Sequence, residues 1–356
     1  MSENGAPGGS RRHERGRGRR GGRVVLAVVW AVVLVGGLLA LASQLDPGPE
    51  RLHHSWVANA GAVAVEVSYA WALATRSGSR PLIVAALTLV AGTGVVLIGT
   101  DELRTGAAVI TAATGAVLGV MTTVPVQRML LTVREVLAAA VIAAVGGVAA
   151  LGFEPVVTVS RYQFAVLACA LVGAFGLVYR LGAGLHGLGR RGVFVVAGGG
   201  LMLAVTLLYA EMIRRYGAPD LIGGVHDGLD WCRDHLGGYP RPIEALLGIP
   251  ALVWGTHMRA RRRQGWWVCL FGVALTAPVA TTLANPDLGV LEALAGIGYS
   301  LVLGLIIGVL IIRLDLALTG VPRVPSGEAP GRRVAREAAE DTSAVRAEPG
   351  RGRPLL

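Results

Sequence analysis

Residues Ser55 to Arg76 read SWVANAGAVAVEVSYAWALATR. The stretch is long enough to cross a bilayer, whose hydrocarbon core of about 30 Å takes about 20 residues of helix. Most of its side chains are Ala, Val and other apolar groups, yet Glu66 stands about halfway along. Insertion scales put an acid at mid-bilayer at about 2.5–3.5 kcal/mol, so such a residue faces a cavity or a partner. At about 100° per residue, Ser55, Asn59, Glu66, Tyr69 and Arg76 fall within one arc of about 100°. One face of this helix is therefore polar from end to end. Two roles fit the stripe. It is either a relay for protons or solute bordering water, or a structural contact in which a protonated acid bonds the next helix.

The remainder of the chain decides for lipid. Of its 356 residues, 53% are hydrophobic. Apolar runs of about 18 or more residues read as membrane spans. They fall at about 24–43, 55–75, 81–100, 107–125, 136–153, 163–181, 193–213, 243–258, 266–285 and 290–312, the eighth being short. The expected fold is all-α, a polytopic integral membrane bundle of about ten transmembrane helices. The bilayer itself is then the first partner.

All 33 basic residues are arginine, which with the abundant Ala, Gly and Val suggests a GC-rich bacterial genome and a bacterial plasma membrane. A net charge of +10 invites a nucleic-acid reading, but the arginines are scattered between spans and in the tails, so no nucleic-acid partner is expected. Their alternation sets orientation instead, because cytoplasmic connections carry the Arg excess. Arg76 and Arg80, Arg128 and Arg134, Arg180, Arg190 and Arg191, and Arg259 to Arg263 lie in alternate connections; the connections between them carry acids. Both termini are thus expected in the cytoplasm. Trp266 and Trp267 read as headgroup-level anchors. A cleavable signal ending near Ala40-Leu41-Ala42 is the alternative for the first span.

Residues 1–22 and 314–356 are rich in Arg, Gly and Pro and read as disordered cytoplasmic tails flanking a bundle over 23–313. Five spans precede the 154–162 connection and five follow it, the count an inverted repeat would have. No shared residues support that symmetry. Pro250, Pro278 and Gly198-Gly199-Gly200 mark later spans for kinks or breaks, which membranes tolerate around a cavity. Gly296, Ser300, Gly304 and Gly308 form a small-residue ridge in the last span, and Gly115 and Gly119 repeat it earlier. Such ridges let helices approach closely, within one chain or between homo- or hetero-oligomer partners.

The loop 214–242 carries the other concentration of polar groups, VHDGLDWCRDHLGGYP from Val225. Asp227 suits an N-cap and Gly237-Gly238 a helix end, so a short amphipathic surface helix is expected there. His226, Asp227, Asp230, Asp234 and His235, with His53 and His54 on the same side, form an extracytoplasmic polar cluster. Its sharper reading is a metal site or a proton or cation antechamber, since His226, Asp230 and Asp234 recur every four residues and histidine and carboxylate oxygens suit divalent ions. No metal-binding motif, cofactor motif, hydrolase elbow or phosphate loop is present in the sequence. The three cysteines show no paired spacing.

The leading functional expectation is a carrier for a small solute or lipid-like molecule, coupled to protons through Glu66. A non-catalytic scaffold or complex subunit is the alternative, and an integral-membrane enzyme acting on lipid the third.

Overall fold

In lipid no water satisfies exposed backbone groups, so apolar runs separated by short polar connections must close their hydrogen bonds within helices. Helices are what they form. The computed structural model describes residues 10–45, 55–126, 128–156, 158–181, 189–216, 219–260, 265–283, 289–319, 348–351 and 353–355, with no strand among them. The helices are α1 (Ser10–Leu45), α2 (Ser55–Arg76), α3 (Pro81–Ile98), α4 (Asp101–Thr122), α5 (Met129–Leu151), α6 (Val159–Arg180), α7 (Gly189–Tyr216) and α8 (Pro219–Leu236). After them come α9 (Ile249–Arg259), α10 (Gly265–Cys269), α11 (Val273–Thr282) and α12 (Val290–Thr319).

Among the described residues, eight segments are long and apolar enough to cross a membrane: Val24–Ser43, Trp56–Arg76, Pro81–Ile98, Asp101–Thr122, Met129–Leu151, Val159–Arg180, Gly265–Thr282 and Leu291–Leu318. Of the two further runs read from the sequence, α7 contributes the shorter apolar stretch Val196–Leu208. The other is divided between a π-helical turn, Glu244–Gly248, and α9.

Two families of contact organise the bundle. In the first half, α2 lies against α1, α3, α4 and α5, and α4 against α5 and α6. In the second half, α9 packs on α10 and α12, while α11 contacts α4, α5 and α6. The segment made by α10 and α11 is consequently enclosed, and nearly all its residues are buried. By contrast α3 buries none of its side chains, and Val90 and Leu97 on it are 71% and 80% exposed. In water such apolar surface would be a liability; facing acyl chains it is the required exterior.

Small residues set the helix spacing. A Cβ added to Gly115 would stand 2.9 Å from Gly146 Cα, and one added to Gly119 would stand 2.6 Å from the Ala139 carbonyl oxygen. The α4–α5 approach thus depends on having no side chain at these positions. The α12 ridge is used inside the chain: Gly304 abuts Ile249, Gly308 abuts Val253, and the Ser300 hydroxyl accepts the Arg241 N–H at 2.8 Å.

Several local expectations are corrected. α8 begins at Pro219, so Asp227 lies inside the helix and does not cap it. Proline at a first helical position carries no surplus N–H, and this start outweighs Gly223, Gly224 and Gly228. The C-terminal end is as expected, with Gly237 at φ +71° after the last turn. α1 starts at Ser10 and α12 continues to Thr319, both within segments read as tails. Arginine is a good helix former and extending an existing helix is far easier than nucleating one. Trp266 and Trp267 are buried within the bundle instead of anchoring at headgroups. Trp267 meets Phe175 edge-on at 5.5 Å, and the Arg259 guanidinium lies 3.4 Å above the Trp266 ring.

The proline-bearing segments are broken. The π turn occupies the residues just before Pro250, whose missing N–H cannot bond the Leu246 carbonyl. Between α10 and α11 the helix tightens to a 3₁₀ turn at Leu270–Gly272. Pro278 lies within α11, and its carbonyl accepts the Thr282 hydroxyl at 2.7 Å. Gly198 to Gly200 do not interrupt α7.

Candidate functional site

The polar stripe of α2 lies inside the bundle. Asn59, Glu66, Tyr69 and Arg76 are all buried; the Ser55 side chain falls outside the described residues. Glu66, 7% exposed, faces α4, where the Thr114 hydroxyl donates to its Oε1 at 3.3 Å. Its Oε2 and the neighbouring Thr111 hydroxyl are buried without a hydrogen-bond partner among the described residues. One turn on, the Tyr69 hydroxyl donates to the Ile142 carbonyl at 2.9 Å, and its ring lies beside the Gly115–Gly146 approach. Glu66 therefore occupies a close helix seam between α2 and α4, bonded on one oxygen.

At the far end of the stripe the arrangement is different. Arg76 ends α2, Thr123 follows α4, Glu135 lies two turns into α5, and Arg259 ends α9. These residues converge. Arg76 donates from Nε to the Met121 carbonyl at 2.9 Å and from Nη2 to that of Thr123 at 3.4 Å. Arg259 donates from Nη1 to the Thr123 hydroxyl at 2.8 Å and from Nη2 to the Thr123 carbonyl at 3.0 Å. Both guanidiniums are 2% exposed and share one residue as acceptor. Glu135, fully buried, accepts the Val124 N–H at 3.0 Å and Arg134 at 3.1 Å.

The last described residues complete this end. Glu348 pairs with Arg259 through both carboxylate oxygens, Oε1 to Nε at 3.3 Å and Oε2 to Nη2 at 2.5 Å. Arg351 donates to Glu135 at 2.5 Å. Arg76 Nη1 donates to the carbonyls of Pro349, Gly350 and Arg353 at 3.0–3.2 Å, and the Leu355 N–H donates to the Arg76 carbonyl at 2.9 Å. Leu355 reaches an apolar recess lined by Leu73, Met121, Leu177 and Leu181. Part of the segment read as a solvated tail is thus a docked plug.

Sequence reasoning singled out Arg76 but used Arg259 only for orientation and passed over Glu135. Glu135 was missed because the apolar run was taken to start at residue 136, whereas α5 begins at Met129. The Arg134-Glu135 pair beside an apolar run was the available signal.

The structure describes four side chains of the polar cluster. Asp227, Asp230, Asp234 and His235 are exposed on α8; His53 and His54 lie outside the described residues, as does the His226 side chain. Arg233 links the helix to the bundle, donating to Glu292 at 2.7 Å and Asp230 at 3.2 Å. The bond to Glu292 holds its guanidinium above the ordinary range. His235 stacks on Trp231 at 4.7 Å. No group of three His, Cys, Asp or Glu suited to a metal occurs among the described residues. Glu244 is fully buried in the π turn with Arg241 3.5 Å away.

Comparison with protein-family models, curated proteins and solved structures gives no match for this chain.

Proposed function

We propose that the chain is a membrane carrier for a small solute, crossing the bilayer ten times with its arginine-rich end in the cytoplasm. The observation that carries this reading is the enclosed, interrupted segment Gly265–Thr282. A helix that touches little lipid and is broken at a 3₁₀ turn has neither the exterior surface nor the continuity of a simple membrane anchor. Interrupted helices in a bundle interior are where carriers expose backbone groups to solute. The π turn of the neighbouring α9 segment adds a second irregularity against the same region, Gly248 packing on the backbone of Leu275. Buried hydroxyls of Thr276, Thr281 and Thr282 supply polarity there.

In this reading Glu66 is an interhelical contact of α2 and α4 and relays no proton. A scaffold role finds less support, because the α12 ridge that would have met a partner is filled by Ile249 and Val253.

Substrate need not be known to test the proposal. Cys269 is buried at the break, whereas Cys169 is exposed and Cys232 half-buried. With Cys169→Ser and Cys232→Ser in place, a carrier that opens its core should let a membrane-impermeant thiol reagent modify Cys269 in the folded protein over minutes to hours. Complete protection, with rapid labelling after denaturation, would defeat the carrier reading.

A further inference from the structure

We propose that Arg76, Arg259 and Thr123 form a binding site for a small oxyanion, a carboxylate or phosphate, in which the chain's own Glu348 now stands as an intramolecular competitor. The arrangement has the features of a built anion site. The Arg259 fork meets a carboxylate with Nε and Nη2 together, the side-on geometry that suits planar carboxylates and phosphates alike. The fork is held before any ligand arrives: Thr123 fixes Nη1 and Nη2, and the Trp266 ring supports the guanidinium plane. Arg76 is fixed in the same way on Met121 and Thr123, leaving Nη1 directed at the C-terminal segment.

Charge makes the case stronger. Glu348 is the carboxylate paired with Arg259, while the described residues of the segment offer Arg76 only backbone carbonyls. Glu135, the other acid at this end, is engaged by Arg134, which stays, and by Arg351, which belongs to the C-terminal segment and leaves with it. When the segment withdraws, two guanidiniums remain around Thr123, paired with no carboxylate among the other described residues. A buried charge deprived of its partner is strongly unfavourable, so the site favours another anion. The segment is also poorly suited to be a permanent wall. It is tied to α12 through residues 320–347, and among its described residues only Leu355 inserts an apolar side chain into the recess at the mouth. A tethered occupant competes at an effective concentration on the order of millimolar, enough to mask a site of ordinary metabolite affinity.

This inference deepens the carrier reading and rests on it only for what becomes of the anion after binding. The test is direct titration of the full chain in phosphatidylcholine nanodiscs with inorganic phosphate and with succinate. Glu348→Gln, and a chain ending at Ala347, should each bind at least one of these about tenfold or more tightly than the full chain, since removing the tether's competitor restores the intrinsic affinity. Adding Arg259→Gln to the shortened chain should abolish the gain. A gain that appears only when the disc contains phosphatidic acid assigns the anion to a lipid headgroup; a gain with soluble anion assigns it to the aqueous phase. Glu348→Gln leaves Arg259 without its anion and lowers stability, so each variant is first shown to be helical and monodisperse, and the shortened chain serves as the second test. The proposal is overturned if both variants stay helical and monodisperse yet bind no anion better than the full chain. Anion binding with Cys269 still protected would sink the carrier and leave this site standing; the reverse pattern would do the opposite.

Discussion

Buried and exposed ion pairs in this chain should differ sharply in worth. Arg259 is buried on every side, and Arg259→Leu would leave the Thr123 hydroxyl and carbonyl without their donor and Glu348 without its cation. Breaking a buried pair in this way costs about 3–5 kcal/mol. The Arg104–Glu154 pair, with side chains 26% and 45% exposed, should yield under about 1 kcal/mol when Arg104 becomes Gln, because water screens it. Denaturant or thermal unfolding in one detergent compares the two directly, and equal losses would show the Arg259 site to be wetter than its geometry. Glu66→Gln belongs to the same scale. Its amide keeps an acceptor for Thr114 and offers a donor toward Thr111, so stability should change by less than about 1 kcal/mol and Cys269 labelling should persist. Loss of that labelling would restore Glu66 as a relay. The stripe was legible because polar residues are scarce within apolar runs. Glu135 and Arg259 were not, since charges are expected wherever a span meets a connection. The Glu348 contact spans 89 positions, beyond the reach of any local pattern.

At the scale of the element, glycine decides which helices touch. A Cβ on Gly304 would lie 2.6 Å from Ile249 Cβ. Gly304→Leu must therefore force α12 away from α9, an overpacking cost of about 1–3 kcal/mol. The midpoint of unfolding should fall while the molecular mass in detergent is unchanged. A change in mass with unaltered stability would instead make the ridge an intermolecular surface. Gly115→Ala presses on Gly146 backbone and should cost a similar amount, although alanine is itself the better helix former. The periodicity of small residues was readable from the sequence; the identity of the facing helix was not. Helix limits were read less well than helix existence. Apolar runs mark where lipid begins, whereas helices continue until their backbone groups find other partners, as α1 and α12 do beyond their apolar cores.

For the whole molecule, the number of crossings turns on the two segments least like ordinary spans. Leu181, at the end of α6, lines the same recess as Arg76. Gly265 begins α10 against the backbone of Arg259, so the enclosed segment starts at this arginine-rich end as well. α12 begins beyond the other end of that segment, and Arg233 ties α8 to its Glu292. The proposed ten crossings take α7 from the arginine-rich end to the opposite one, with return by the π turn and α9. Ten crossings place Cys232 across the membrane from Arg80; if those two segments did not cross, both would lie on the same side. In cells carrying Cys169→Ser and Cys269→Ser, an impermeant thiol reagent should label Cys232 from outside. Arg80→Cys, in a chain also lacking Cys232, should react only after the membrane is opened. Labelling of both from one side would reduce the chain to eight crossings and move α8 to the face that holds the plug. The carrier would then lose the two irregular segments as parts of its pathway. The anion site would survive, because its contacts join α2, α9 and the C-terminal segment whichever face of the membrane they meet.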